Sequence, residues 1–318
     1  MNYPPARLAK IERLGYTASE SRFLYLVAVL SGYFLRRQFL VFVRTESGKR
    51  DQAFLDKAQA KGHVRAEPHT TESSKRYHLY ARTFYDAIEH TDSSHRRAGS
   101  ATRAVIKLLG LDLALAHPGA RYLETEQEKV AFFATCGVPV HRMPGRRYLP
   151  SAAGEAPTER YFVDRFPIFF AAPDDPVVTF AYLHAGTFAV AAFATYLEHY
   201  RALLTTLERP WRVLFVSDTD ADFARAGRLF DAAFLADEDP DRQILEYFRV
   251  RDLWEQGRRQ ELTVSDLVTR GEGAQRYASA HHEALYGAWL REGRPSSLQS
   301  VRPRELAGEF ATYLVVRT

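Results

Sequence analysis

The chain has 318 residues, of which 46% are hydrophobic, and it contains 43 Lys and Arg, 39 Asp and Glu, and one cysteine. Its length allows one large domain or two ordinary ones, and the 21 Phe and 17 Tyr exclude a largely disordered chain. A single cysteine excludes an intramolecular disulfide and a cysteine-built zinc site. Because there is no apolar run of bilayer length and no secretory signal pattern over residues 1–13, we expect a cytoplasmic protein that does not contact a membrane.

The charge is distributed unevenly along the chain. Residues 1–105 hold 18 basic and 10 acidic side chains, a net charge of +8, whereas the remainder carries −4. A basic region followed by a slightly acidic body is typical of a nucleic-acid-binding module attached to another domain. Chance variation of the surface could give the same totals, so the assignment depends on the pattern of elements.

Three helices are predicted near the N-terminus. The first begins at the capping residues Thr17 and Glu20 and ends at Gly32. A short second helix spans about residues 36–44, and a third spans 49–61. The apolar positions of the second helix would pack on the first.

The third of these helices is predicted to have two different faces. Ser47 would cap it, and Phe54, Leu55 and Ala58 form an inward-facing stripe. Its basic and amide side chains lie mostly off that stripe, which is typical of a helix that reads the major groove. The DNA contacts expected from the second and third helices are Arg36, Arg37, Lys49, Arg50, Gln52 and Lys57.

A hairpin follows the third helix. Residues 63–69 and 77–80 are predicted to be extended, and the polar turn between them ends in Lys75 and Arg76. Three helices followed by a hairpin is the order of a winged helix, in which the cations of the wing contact phosphates or the minor groove. The sequence therefore predicts a winged-helix DNA-binding domain over residues 1–92. A winged helix that binds protein is the alternative, and the charge of +8 disfavours it.

The middle segment, residues 93–150, is predicted to link the N-terminal domain to the rest of the chain and to support it. Helices are predicted over 103–116 and 124–135, followed by a short, extended and basic stretch over 138–147. The predicted third segment, residues 151–318, has an α/β core.

Strands and helices alternate in this third segment. The predicted strands are 160–170, 177–183, 211–216 and a terminal 311–316, and the predicted helices are 186–207, about 220–234, 240–256 and 272–291. Helices would cover a mixed sheet, which gives the whole chain the fold class α+β.

On these elements the chain resembles the replication-relaxation family of mobile-element and plasmid-associated proteins. The features that carry the resemblance are the winged-helix pattern, the strand with Asp164, and the segments 177–183, 196–200 and 212–217. That family joins a winged helix to a body similar to the PD-(D/E)xK nuclease core. The resemblance therefore implies a DNA-binding protein with a nuclease-like body.

Nuclease activity would require more than this fold. It needs an acid on one strand and Glu/Asp-x-Lys on the next, which together hold a divalent cation. Asp164 could be the first acid, but residues 180–184 contain neither a carboxylate nor a lysine, and Mg²⁺ prefers oxygen ligands. Asp164 is better explained as a strand-end or ion-pair carboxylate beside Arg165. We therefore expect no catalytic residue, no metal and no cofactor.

Two further segments are weaker candidates for a site. Asp218 and Asp220 resemble the start of an aspartate-nucleophile phosphatase motif, but helix capping explains Asp220 and Asp222 without catalysis. Gly271 and Gly273 are predicted to lie in a loop that is not a dinucleotide site.

Together these patterns predict a sequence-specific regulator, in the simplest case a repressor, that binds double-stranded DNA as a homodimer. The body would supply dimerisation and a surface for an unidentified ligand or protein partner. Two alternatives remain at this point: a divergent metal-dependent nuclease or phosphohydrolase, and a DNA-binding replication accessory factor of a mobile element.

Overall fold

The structure is a computed structural model, and it describes residues 3–46, 48–69, 75–148, 157–164, 166–186, 189–234, 240–295 and 308–315. Its helices and mixed sheets confirm the predicted α+β class. The chain divides into two compact units, Met1–Leu229 with Gly308–Thr318, and Phe230–Ala307. The boundaries predicted after residues 92 and 150 both fall inside the first unit, where the N-terminal helices and the body sheet share one apolar core.

The N-terminal region consists of helices around a small sheet. In chain order its elements are α1 (Pro5–Arg13), α2 (Ala18–Leu30), β1 (Tyr33–Leu35), α3 (Arg36–Val43), α4 (Lys49–Ala60), β2 (Val64–Pro68), β3 (Lys75–Leu79) and α5 (Arg82–Ala87). The three strands are antiparallel in the order β1-β3-β2. The three predicted helices and the two extended segments are confirmed, whereas α1, β1 and α5 were not predicted.

Local chemistry explains where α2 begins and ends. The Thr17 hydroxyl accepts from the backbone N–H of Glu20, and the Glu20 carboxylate accepts from the N–H of Thr17 at 2.8 Å. After the helix, Gly32 has a φ of +75°, and a Cβ there would lie 2.4 Å from the carbonyl oxygen of His95. Only glycine fits this position, because both the backbone angle and the close approach exclude a side chain.

Aromatic side chains fill the core under α4. Phe23, Phe34, Phe39 and Phe54 are all buried, and the rings of Phe39 and Phe54 stack with centroids 4.1 Å apart. This cluster fixes α4 against α2 and α3. Two parts of the predicted module, the cap Ser47 and the wing tip at 70–74, lie outside the described residues, and Gly48 is the N-cap of α4.

The body of the first unit contains a larger sheet. In chain order the elements of the body are a short 3₁₀ turn (Ser94–Arg96), α6 (Ala101–Ala116), β4 (Arg121–Tyr122), α7 (Glu126–Thr135), a 3₁₀ turn (Val140–Arg142), β5 (Gly145–Tyr148), β6 (Thr158–Tyr161), β7 (Ile168–Phe170), β8 (Val178–His184), α8 (Ala191–Thr206), β9 (Trp211–Ser217), α9 (Phe223–Phe234) and, after the second unit in sequence, β10 (Gly308–Leu314). The strand order is β10-β9-β8-β7-β4. Strands β8, β9 and β10 are parallel, whereas β7 and β4 are antiparallel to their neighbours, so the sheet is mixed as predicted.

The single strand predicted over 160–170 is wrong. Its first part belongs to β6, which pairs with β5 in a separate two-stranded sheet, and its last part is β7 of the larger sheet. Phe162 turns the chain with a φ of +52°, and Pro167 cannot donate a ladder hydrogen bond. Asp164 therefore lies in the connection between two sheets and not on a strand.

The second unit is described as three helices, α10 (Pro240–Glu255), α11 (Val264–Arg276) and α12 (Ala280–Arg291), with a 3₁₀ turn at Arg259–Glu261. The predicted loop at Gly271 and Gly273 is wrong, since α11 runs through both residues. At Gly273 a Cβ would lie 2.2 Å from the ring of Tyr247, so this glycine permits close packing of helices. Among the helices of the described ranges, none is long and apolar enough to cross a bilayer.

Candidate nucleic-acid interface

Helix α4 has one face in the core and one in solvent. Phe54, Leu55 and Ala58 are buried, as the apolar stripe predicted. Lys49, Arg50 and Gln52 are exposed, together with other short or polar residues of the helix. The first turn of α4 therefore presents two cations and an amide to solvent, beside backbone N–H groups at the positive end of the helix dipole.

A buried carboxylate fixes the start of α4. The Asp51 side chain accepts from the Gly48 backbone N–H at 2.8 Å and pairs with the guanidinium of Arg36 on α3. Desolvation opposes ionisation of Asp51, but these two interactions outweigh it and lower the pKa of the carboxyl. Arg36 thus joins α3 to α4.

Three of the eight predicted DNA contacts have no side-chain partner within the part of the chain that the structure describes. These are Lys49 and Arg50 on α4 and Lys75 at the start of β3, and all three are exposed. Gln52 is also exposed, and its amide donates to Asp56 on the same helix at 2.8 Å. These four residues keep polar groups available to a ligand.

The other four predicted contacts hold the module together. Besides Arg36, the guanidinium of Arg37 donates two hydrogen bonds to Asp112 on α6, at 2.9 and 2.7 Å. Lys57 donates to Glu20 on α2 at 2.6 Å, and Arg76 donates to Glu67 on β2 at 3.0 Å. Each of these cations joins two elements, so the sequence pattern did not separate structural cations from available ones.

The face of β8 toward α8 carries aromatic side chains, at the place where a nuclease site of the predicted kind would need a carboxylate and a lysine. Tyr182 packs on Tyr196 of α8, with ring centroids 5.1 Å apart, and Tyr196 packs on Tyr200 at 4.4 Å. Phe180 lies on the same side, 5.9 Å from Tyr200. Desolvation raises the pKa of Tyr182 to about 12, so its hydroxyl stays neutral at physiological pH.

Asp164 meets this aromatic cluster at its edge. One oxygen of the carboxylate accepts from the Tyr200 hydroxyl at 3.1 Å and from the backbone N–H of Phe166 at 3.2 Å. Its neighbour Arg165, the predicted ion-pair partner, lies outside the described residues. The bonds that Asp164 makes here are those of a carboxylate that closes a turn.

Of the carboxylates after β9, Asp222 makes a side-chain contact that is not a helix cap. Asp222 lies with one oxygen 3.0 Å from Nε2 of His184, at the end of β8, so its carboxylate joins α9 to that strand. The Nδ1 atom of His184 is buried and has no hydrogen-bond partner among the described residues. Nor do the described ranges contain a group of three His, Cys, Asp or Glu side chains placed to hold a metal ion.

Comparisons with known proteins add no assignment. No protein-family model, no curated protein and no solved structure matches the chain. The similarity to the replication-relaxation family therefore stays a prediction based on the sequence features given above. The functional interpretation depends on the charges and contacts of α4 and of the body sheet.

Proposed function

We propose that the chain binds double-stranded DNA through a winged helix formed by its N-terminal region. The order α2, β1, α3, α4, β2, β3, with the antiparallel sheet β1-β3-β2, supports this proposal. In such a module α4 is the recognition helix, and β2 with β3 forms the wing.

The observation that carries the proposal is the exposed first turn of α4. Lys49 and Arg50 are exposed and have no carboxylate partner among the described residues. Both cations are therefore available to pair with the anionic groups of a ligand. Phosphates and guanine edges accept from such groups, and a Gln amide such as that of Gln52 matches adenine. The aromatic core below holds the helix rigid, which lowers the entropy lost on docking.

The proposed contact set is narrower than the sequence pattern. Lys49, Arg50 and Gln52 would enter the groove, and Lys75 would contact the backbone from the wing. The other cations predicted from the sequence position the elements that present these four side chains. They are Arg36, Arg37, Lys57 and Arg76.

The body supports the proposal as a scaffold. The order of the antiparallel strands β4, β7 and β8, the helix α8 and the parallel strand β9 supports the proposed likeness of the body to a PD-(D/E)xK core. Phe180 and Tyr182 occupy the side of β8 that faces α8. Because buried aromatic rings cannot gather divalent cations, we propose that this body does not cut DNA.

We propose a regulator that acts as a dimer in the cytoplasm. One winged helix covers few base pairs, and a twofold dimer doubles the recognised length on a palindromic site. A replication accessory factor would use the same DNA-binding surface, and the bound sequences distinguish the two roles by their location near promoters or near replication origins.

Selection of DNA from a random pool tests this function directly. The purified chain is incubated with short random duplexes at moderate salt, and the retained fragments are amplified and sequenced over several rounds. We expect enrichment of one motif with twofold symmetry. Absence of retention above that of an unrelated acidic protein would contradict the proposal.

A further inference from the structure

A second basic surface lies in the body, on the ribbon formed by β5 and β6. In the part of the chain that the structure describes, these two strands pair only with each other, and they project most of their side chains into solvent. Arg146 and Arg147 on β5 are exposed, and so is Arg142 in the 3₁₀ turn before it. Within the described residues none of these three arginines has an ionic or hydrogen-bonded side-chain partner. We call this surface the basic ribbon.

One face of the basic ribbon places like charges opposite each other. In the register of the two strands Arg146 pairs with Arg160, and cross-strand neighbours share a face. Like charges in this position are destabilising unless something neutralises them. Arg160 is neutralised within the chain, since its guanidinium donates to Glu126 on α7 at 2.7 Å. Arg146 has no such carboxylate among the described residues, so an anion from outside would neutralise its charge.

An aromatic ring completes this face. Tyr148 is 43% exposed, and the guanidinium of Arg146 lies over its ring at 5.4 Å from the centroid. Stacking on the ring orients the guanidinium without using its hydrogen-bond donors. On the other face Arg147 lies opposite Glu159, but the two charged groups are not within the 4.0 Å of an ion pair.

The basic ribbon continues toward the N-terminal sheet. A cavity of about 400 Å³ is lined by Tyr148 and Arg160 of the ribbon and by Arg97, an exposed arginine without a partner in the described residues. Arg97 follows the 3₁₀ turn that contacts β3, where Nε2 of His78 lies 3.2 Å from the carbonyl oxygen of His95. Arg97 therefore lies between the turn that contacts β3 and the basic ribbon.

We propose that the basic ribbon is a second contact to the backbone of the same DNA duplex, made by Arg146 and Arg147. This inference rests on the proposed function. Successive residues of a strand point to opposite faces, so the two guanidinium groups are spread over the ribbon and are not gathered into a pocket. Such spacing suits a polyanion with repeated phosphates better than one small anion. Phosphate contacts add affinity without sequence preference.

The experiment compares salt dependence between matched double variants. Arg146→Ala with Arg147→Ala removes two phosphate contacts, so the slope of log Kd against log salt should fall by about 1.8, at about 0.9 for each phosphate. Affinity should fall by the same factor on the selected motif and on a scrambled duplex. Arg225→Ala with Arg228→Ala is the control and should leave the slope unchanged, since it removes two exposed arginines of α9 that have no partner within the described ranges.

The outcomes of these measurements separate the inference from the proposed function. A reduced slope with a normal melting temperature supports it, and restoration of the slope by Arg146→Lys with Arg147→Lys supports it further. An unchanged slope overturns it, while loss of motif preference in Lys49→Ala with Arg50→Ala would leave the proposed function standing. A shift of melting temperature with inorganic phosphate that the ribbon variant abolishes, with DNA binding unaltered, overturns it in favour of a small anion. No binding of the unmodified chain to any duplex overturns both proposals.

Discussion

The first turn of α4 and the α8-facing side of β8 are two places where the sequence suggests a DNA-related site, and they are built in opposite ways. At α4 the charged side chains Lys49 and Arg50 are left in solvent above a buried aromatic base. At β8 the aromatic side chains themselves occupy the site, and Asp164 is tied to Tyr200. A surface that binds keeps its polar groups available, whereas a scaffold uses them up in internal contacts.

The same distinction applies within the N-terminal region. Its charge of +8 suggests a uniformly basic face, yet Arg36, Arg37, Lys57 and Arg76 each pair with a carboxylate of another element. Net charge therefore overstates the number of cations available for the proposed DNA contacts. The useful quantity is the number of exposed cations without an internal partner.

The largest expected effect comes from removing the aromatic base of α4. Phe54 is fully buried and stacks on Phe39, so Phe54→Ala should lower the free energy of unfolding by about 3–5 kcal/mol. Urea denaturation measures this loss, and Ala53→Ser at the neighbouring exposed position is the control. A loss below about 1 kcal/mol would mean that this cluster is not what holds α4 in place.

A somewhat smaller effect should follow from breaking the Arg37–Asp112 pair. Asp112 also accepts from the amide of Gln38 at 2.8 Å, so Asp112→Ala leaves two donors without their acceptor. We expect a loss of about 3 kcal/mol in the free energy of unfolding. Arg37→Met with Asp112→Leu, which removes both charges, should be closer to the unmodified chain. If Arg37→Ala instead weakens DNA binding at unchanged stability, Arg37 belongs to the contact set after all.

Acid should loosen the N-terminal sheet. Desolvation lowers the pKa of the buried His78 to about 4, against 6.5 in the unfolded chain. Between these values the unfolded state binds more protons, so stability is complete above pH 6.5 and falls as the pH drops toward 4. The loss at pH 4 from His78 is at most about 3 kcal/mol. Denaturation midpoints at pH 7 and at pH 4 measure it, and His78→Gln should flatten the pH dependence.

The smallest effect is expected in the body, where Asp164 contacts Tyr200. Tyr200→Phe removes one hydrogen bond to Asp164 and should lower the free energy of unfolding by about 1 kcal/mol. DNA affinity should not change, and incubation of DNA with Mg²⁺ or Mn²⁺ should give no cleavage by either protein. Metal-dependent cleavage that disappears in Asp164→Ala would restore the nuclease alternative and break the comparison between the two regions.

How far the sequence predicts these features depends on whether the signal is local. The ends of α2 and the stripe of α4 follow from a capping box and helical spacing, so both are confirmed. Strand β1 has only three residues and exists because β3 pairs with it, which no local pattern shows. Gly273 of α11 suggests a loop because its packing partner Tyr247 is distant in sequence. Ion pairs such as Arg37–Asp112 join residues 75 positions apart, so the sequence could not separate internal cations from available ones.

The most direct test of the account is the binding of Lys49→Ala with Arg50→Ala to the selected duplex and to its scrambled form, measured by fluorescence anisotropy across a range of salt concentrations. We predict that the double variant keeps its melting temperature, that the slope of log Kd against log salt falls by about 1 to 2, and that the preference for the selected duplex is lost. A double variant that retains both the slope and the preference would contradict the central claim that α4 reads DNA.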